Sequence, residues 1–584
     1  MNQIYDGGEF PKNFMEAIIF PLYKKGDLAI VSNFRGISFL TAFYKIYTQL
    51  IHFRMQIFAC KENLLHESQA GFRRGYSTCD NIFILSSIIE DSIRKPCGKV
   101  FAFFIDFSAA FDTVNRNSLI LKLAMLGYST KCCDAIKQIY NVTKAKVWTS
   151  EGYTESFETK AGVRQGCLLS PLLFTLYIND LIECVDEGGF CFDGVWIRML
   201  LYADDIVFLA SDPKVLQNMI DKLYKYCVLW DLKVNLSKSK IMVFRKAGRI
   251  SKNLSWTYGD QQIDIVPTYK YLGINFVSTG KFGSHLDIQM GVAKIALNSI
   301  YKNIFYLQAR NIDAYLRVFN SVARSVLCYA AQVWGFQKWE IVERLLRFFI
   351  KKLLRLPYNT PNYMILLETG CDSLFVFTLK LHWKFLIHTW QLSNSRFTKV
   401  MMQHGINREH NWYKYFVKMA TDCGNLDDFN NFQNANIKEP FDVLLDFVAK
   451  SEQQSLLDKV ILGQLHPLYK SLKTICGRES YFNESLTMRE IRFIMMARTE
   501  MLPLNWKPWF PDNNFQCFLC NMRVNEDTEH FIKQCPILKE FRPQSFVSAD
   551  INCILNGDLG WKILSDFVCH ALNYRNQLVL EFNG

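Results

Sequence analysis

Short apolar runs recur through the first half of the chain and alternate with amphipathic stretches. KVFAFFIDF (99–107), KIMVFRK (240–246) and TYKYLGINF (268–276) have the length and the β-branched and aromatic content of strands. RMLLYADDIVFLA (198–210) is apolar on both sides of an Asp-Asp pair, the pattern of a hairpin. Helices lie between these runs. SPLLFTLYINDLIECV opens with Ser170 at an N-cap and Pro171 at the first helical position, and NSLILKLAMLGY closes on Gly127. From 98 to 280 the pattern is therefore an α+β alternation. Residues 1 to about 90 mix basic and aromatic residues with loop signals. From 281 to about 400 the pattern turns helical and basic, and from 401 to 584 it stays helical. A loop-like island at 503–536 interrupts it, opening with Pro503, Pro508, Pro511 and Asp512-Asn513-Asn514.

The 584 residues suffice for two to four domains. Half are hydrophobic and 15% aromatic, which excludes a disordered chain. A net charge of +12 suits a polyanionic partner such as nucleic acid and equally a solvated basic surface. Eighteen cysteines are scattered without a framework, as reduced thiols are. The start is polar, and no apolar run reaches the roughly 18 residues needed to span a bilayer. These features predict an intracellular protein of the nucleus or cytoplasm, neither secreted nor membrane-bound.

Candidate chemistry begins with Asp204 and Asp205, which have no basic residue within four positions. Burying unpartnered carboxylates side by side is costly. A tight turn accommodates them, and so does a divalent cation, which requires a further acid from elsewhere. Asp106, at the end of a buried-looking strand, is that acid. Mg²⁺ takes few protein carboxylates and completes its shell with water and substrate phosphates.

The order FRGIS, QAGFRRGYST, FIDFSAAFD, GVRQGCLLSPLLF, YADD, LKVNLSKSK and YKYLG resembles the reverse transcriptase of non-LTR retrotransposons, the jockey and LINE type, over residues 20 to 280. The resemblance implies an α+β right-hand polymerase: fingers and palm at 1–280, a helical thumb or connector at 281–400, and a helical C-terminal domain at 401–584. It implies an RNA-directed DNA polymerase that adds dNTPs to a DNA primer on an RNA template, the primer being a nicked target. Asp106, Asp204 and Asp205 become ligands of two Mg²⁺ (or Mn²⁺) ions. Phe111 resembles the residue under the deoxyribose that excludes a 2′-hydroxyl. Gln165 and Gly166 resemble the floor of the nucleotide site. Arg73 resembles a fingers arginine on the triphosphate, and Arg35 and Lys45 are candidates for template or phosphate contact. Lys238 matches a lysine that protonates the leaving pyrophosphate, and YKYLG resembles the primer grip. Gly36 and Leu168 stand where the family usually has proline, which bears on backbone rigidity. The alternatives are a decayed or repurposed copy that only binds RNA, and a group II intron maturase.

Downstream, Arg344, Arg347, Lys351 and Arg355 are three, four and four residues apart, a basic helical stripe suited to phosphates or to solvent. Cys517-x2-Cys520-x9-His530-x4-Cys535 can close a tetrahedral site for one structural Zn²⁺, a small CCHC knuckle within 515–540. WKILSDFVCHALNYRNQL reads as an amphipathic helix that packs on it. Twenty-two residues before Tyr23 and 49 after Cys535 leave no room for a nuclease domain. The expectation is that any endonuclease comes from a missing domain or in trans.

Overall fold

A computed structural model of the chain describes residues 1–141, 143–250, 253–306, 311–424, 438–507 and 515–583. They gather into two units, Met1–Phe282 with His388–Tyr413, and Gly283–Ile387 with Lys414–Gly584.

The first unit is built on two sheets. In one, β1 (Glu16–Tyr23) pairs antiparallel with β2 (Phe34–Phe39) and parallel with β4 (Lys144–Thr149). The other is antiparallel and contains β3 (Lys99–Ile105), β5 (Met199–Tyr202), β6 (Asp205–Ala210) and β7 (Lys240–Arg245), in the order β7-β3-β6-β5. Every residue of β3 after Lys99 is buried, so this strand must be interior to the sheet and covered on its faces. Helices α2 (Thr78–Arg94) and α4 (Pro213–Leu229) pack against it. A Ser77–Asp80 capping box starts α2, and Asp212 caps α4 ahead of Pro213. Helix α1 (Ala42–Lys61) buries Tyr44, Tyr47, Ile51 and Met55 in the same core. The run 268–276 is a hairpin of β8 (Thr268–Tyr271) and β9 (Ile274–Val277). Leu272 and Gly273 turn it with φ of 45° and 86°, as a tight two-residue loop demands.

One helix differs from expectation. α3 spans Ser170–Tyr177, with Leu169 at the cap and Ser170 already helical, its hydroxyl 3.3 Å from that of Tyr140. It stops at Ile178 instead of running to Val185. Asn179 is drawn to His66 and Leu64, and Asp180 to Lys122 and Tyr226, so a separate short helix follows at Leu181–Cys184. The last element of this unit, α5 (Phe397–Asn407), docks on α2 through Thr398 and Asp80 (3.0 Å), and its N-cap Arg396 pairs with Glu67 of the segment before α2 (2.9 Å).

The second unit is helical among its described residues, including Glu340–Leu353, Lys438–Leu462, Met488–Arg498 and Trp561–Asn583. Its interior holds a fully buried Arg498–Glu368 pair (2.9 Å), with the Tyr481 hydroxyl on the same carboxylate. The basic stripe is not continuous. Arg355 lies past the helix end at φ 49°, Arg347 pairs with Glu340, and Lys351 donates to the Tyr358 carbonyl at 2.6 Å. The turn-rich stretch 508–514, with Pro508, Pro511 and Asp512 to Asn514, lies outside the described residues. Among the described residues no helix is long and apolar enough to cross a membrane.

Candidate active site

Strand β3 runs out at Ile105, so Asp106 is the first residue beyond it. Strand β6 starts at Asp205, and Ile206 faces Ile105 in the ladder. The register brings Asp106, Asp204 and Asp205 to one end of one sheet, although 98 positions separate the first two. The next segment holds Asp106 in place. Its N–H donates to Ser239 Oγ (3.0 Å) and its carbonyl accepts from the Asn235 N–H (2.8 Å). Lys238 Nζ lies 3.2 Å from Asp106 Oδ2, with its side chain mostly in solvent.

The electrostatics are those of crowded acids. Burial raises the Asp204 carboxyl above its ordinary range and Asp106 adds to the rise, against a backbone hydrogen bond and the charges of Arg35 and Lys238. The Asp205 carboxylate reaches solvent on one side. Partial burial, then Asp204 and Asp106, still push it up to about 6. Such a set suits a divalent cation, which would supply the missing counter-charge.

The loop Gln69–Arg73 clamps the Asp-Asp turn. Gln69 Oε1 accepts from Gly71 N–H (2.8 Å) and Ala203 N–H (3.1 Å), and Ala70 N–H donates to the Leu201 carbonyl (2.9 Å). A Cβ on Gly71 would fall 2.1 Å from the Ala203 nitrogen, so only glycine lets the two backbones meet. Ala203 itself sits at φ 56°, an unfavourable region for alanine. The strained residue stands directly before Asp204.

Other sequence-predicted residues are distributed around this end. Phe111 stacks on Phe174 at 4.7 Å and meets Phe72 edge-on at 6.2 Å. Gln165 Nε2 donates to both oxygens of Asp112, at 3.1 and 3.0 Å. Burial raises the Asp112 carboxyl, and that bond with Lys24 and Arg35 only partly offsets it. Gly166 has φ 105°, and a Cβ there would meet the Ser38 carbonyl at 2.7 Å. The Arg73 guanidinium folds back on the carbonyls of His66 (2.7 Å) and Gln69 (2.9 Å) and over the Tyr76 ring. Arg35, on β2, bears on both Asp204 and Asp112. Lys45 is half-buried at the start of α1, and the structure does not bring it to the acids by any hydrogen bond or ion pair among the described residues. Tyr269 of the 268–276 hairpin stacks on Phe104 at 4.4 Å. Gln69, Gly71, Asp112 and Ser239 were not singled out in the sequence. All four sit inside the quoted motifs, where their position was the available signal.

In the second unit, Cys517, Cys520, His530 and Cys535 place one ligand atom each within 4.8 Å of the others, and Cys520 Sγ lies 3.5 Å from His530 Nε2. Cys517 N–H bonds the Val524 carbonyl (2.9 Å), and Asp527 accepts from His530 N–H (2.8 Å). The terminal helix Trp561–Asn583 packs here: Arg575 pairs with the buried Glu526 at 2.5 Å, and Phe567 meets Phe531 at 5.9 Å.

Residues 23–276 match the family model described as reverse transcriptase (RNA-dependent DNA polymerase). The chain is 26% identical over 335 residues to the probable RNA-directed DNA polymerase from transposon BS of Drosophila melanogaster, covering 56% of this chain and 36% of that protein. It is 26% identical over 387 residues to the RNA-directed DNA polymerase from mobile element jockey of Drosophila funebris, covering 64% and 40%. The Pol polyprotein of the type-1 element R2 of Nasonia vitripennis is 23% identical over 296 residues, covering 49% and 28%. The chain thus spans well under half the length of these curated relatives. Residues 23–276 form a reverse transcriptase domain, related to those of the jockey and R2 non-LTR retrotransposons.

Proposed function

We propose that the chain is an RNA-directed DNA polymerase that extends the 3′-hydroxyl of a DNA primer with dNTPs on an RNA template. The observation that carries this reading is the convergence of Asp106, Asp204 and Asp205 at one sheet end, with Lys238 against Asp106. These carboxylates would hold two Mg²⁺ ions, which when bound favour attack by the 3′-hydroxyl and stabilise the leaving pyrophosphate. Lys238, exposed beside Asp106, holds a proton within reach of that leaving group. Phe111, braced by Phe174, closes the space a ribose 2′-hydroxyl would need. Gln165, fixed by Asp112, and Gly166, whose φ admits close backbone approach, line the nucleotide floor. Arg73 and Arg35 offer guanidinium forks to phosphate, and Lys45 a point charge to the template. In the second unit, Cys517, Cys520, His530 and Cys535 would hold one structural zinc in a knuckle that contacts nucleic acid.

The intact acid trio counts against a decayed copy that only binds RNA. The test is extension of oligo(dT) on poly(rA) with Mg²⁺ or Mn²⁺. The wild-type chain should extend the primer, and Asp204→Asn, with an unchanged circular dichroism spectrum, should not. Extension that survives Asp204→Asn refutes the assignment.

A further inference from the structure

A second cluster of metal-ligating side chains lies in the first unit, apart from the three aspartates. Asp91 stands in the last turn of α2, His404 on α5, and His410 just beyond it. One ligand atom from each lies within 4.8 Å of the other two, and Asp91 Oδ1 is 3.1 Å from His404 Nε2. Zinc bonds imidazole nitrogen and carboxylate oxygen at about 2.0–2.2 Å, so two ligands of one tetrahedral ion lie about 3.3 Å apart. The Asp91–His404 edge has that spacing already. Closing the other edges takes about 1.5 Å at most, within reach of side-chain rotation.

The backbone is shaped to bring the histidines together. Helix α5 ends in a Schellman turn, with Glu409 N–H on the Ile406 carbonyl (3.2 Å) and His410 N–H on that of Gly405 (2.8 Å). The turn requires Glu409 at φ 50°, the left-handed region that favours glycine. It folds His410 back until its ring centroid is 5.8 Å from that of His404. Arg94 of α2 pins the turn by donating to the carbonyls of Arg408 (3.0 Å) and Glu409 (2.9 Å).

His410 points to a ligand. Its side chain is fully buried, and neither Nδ1 nor Nε2 meets a hydrogen-bond partner among the described residues. Buried imidazole nitrogens are ordinarily satisfied, and a metal on one of them resolves the deficit. Two cations face the cluster. Arg94 is committed to Glu90, Asn411 and the two carbonyls. Lys95 pairs with the other Asp91 oxygen, Oδ2, at 2.9 Å, and its side chain is 64% exposed, so it can withdraw into solvent.

We propose that Asp91, His404 and His410 bind one zinc-type divalent cation that fastens the His388–Tyr413 segment to α2. Two imidazoles and a carboxylate suit zinc, cobalt or nickel over magnesium, and three protein ligands leave a fourth position for water. Because α2 packs on β3, which ends at Ile105 directly before Asp106, the fastening supports the strand that leads into the first catalytic acid.

The test uses the full chain, stripped of metal and reloaded with zinc, in a Cys517→Ser, Cys535→Ser background that removes the thiolate site. Metal analysis should find one zinc per chain in that background and none after a further His410→Gln or Asp91→Asn. Cobalt in the background should give a weak visible band without the near-ultraviolet sulfur-to-cobalt band. Zinc should raise the melting temperature of the background and leave that of the Asp91→Asn variant unmoved, a readout that holds even where His410→Gln fails to fold. A background that takes up no zinc, or zinc retained after both substitutions, overturns the site. None of these readouts uses polymerase activity, so this result and the functional reading above stand or fall separately.

Discussion

Replacing Gln69 with methionine should disable the acid pair without touching an acid. The side chain is fully buried, and its single oxygen serves two backbone donors, Gly71 N–H and Ala203 N–H. Methionine keeps the volume and removes the acceptor. Each buried N–H left unpaired costs about 1–3 kcal/mol, so holding the present geometry would cost about 2–6 kcal/mol. The backbone has a way out. Ala203 is held at φ 56°, a conformation that itself costs about 1–3 kcal/mol, so the turn relaxes once the clamp is gone. That relaxation displaces the adjacent Asp204, and a shift of about 1 Å in a reacting group can cost about 100-fold in rate. At about 2.1 cal/mol/K per residue, a unit of roughly 300 residues has an unfolding entropy near 0.6 kcal/mol/K, so the melting temperature should fall by about 3–9 °C. Single-turnover extension of oligo(dT) on poly(rA) should slow about 100-fold. A wild-type rate would refute the reasoning. A lowered melting temperature with an unchanged rate would reduce Gln69 to a packing residue and break its link to the acids.

Phe111→Ala should raise ribonucleotide incorporation selectively, read as the ratio of dNTP to rNTP efficiencies; an unchanged ratio removes Phe111 from sugar selection. Asp205, raised to about 6 against an unfolded value near 3.9, binds more protons when folded, so it should lower the stability of metal-free protein as pH rises from about 4 to 6 and add nothing above that. Asp205→Asn should remove that component in EDTA, and divalent affinity should fall below pH 6; identical pH–stability slopes for the two proteins would contradict this. Glu500, buried and pushed up to about 8 chiefly by burial, destabilises the second unit progressively from about pH 4.5 to 8 at about 1.4 kcal/mol per pH unit. Glu500→Gln should therefore stabilise by a few kcal/mol at pH 8 and by almost nothing at pH 4, and equal effects at both would refute the burial argument.

The acids were legible in the sequence because they interrupt apolar runs that cannot bury charge unaided. Strands 99–105 and 240–245, the 199–210 hairpin and the cysteine spacing were legible for the same local reason: period and composition report which residues are buried. What those residues touch was not legible. Asp106 meets Ser239 at a sequence distance of 133, and Gln69 reaches Ala203 across 134, contacts set by the order β7-β3-β6-β5. The helix from 340 shows the reverse error. Spacing alone aligned four cations on one face, but Arg347 and Lys351 are turned to partners and Arg355 leaves the helix. The Asp91–His404–His410 cluster was invisible, since 313 positions separate Asp91 from His404 and each residue is unremarkable in its own neighbourhood.

A fold selected for stability alone would not keep Asp106, Asp204 and Asp205 together. Burial and mutual repulsion raise the second and third, so in the absence of cations each contributes an energetic penalty at neutral pH. Lys238 and Arg35 are the cations that bear on the group, and two single charges cannot neutralise three carboxylates. With the proposed dNTP bound the deficit would grow, because its triphosphate is strongly anionic and would be repelled by any residual negative charge. Adding protein cations would remove the repulsion, but it would also fill the position where the substrate must sit. On the proposed reading, divalent ions held by Asp106, Asp204 and Asp205 would cancel both sets of charges. The penalty in the free protein would then be the feature that makes nucleotide binding depend on metal, and Gln69, Gly71 and Ser239 are the residues that hold the acids in that arrangement.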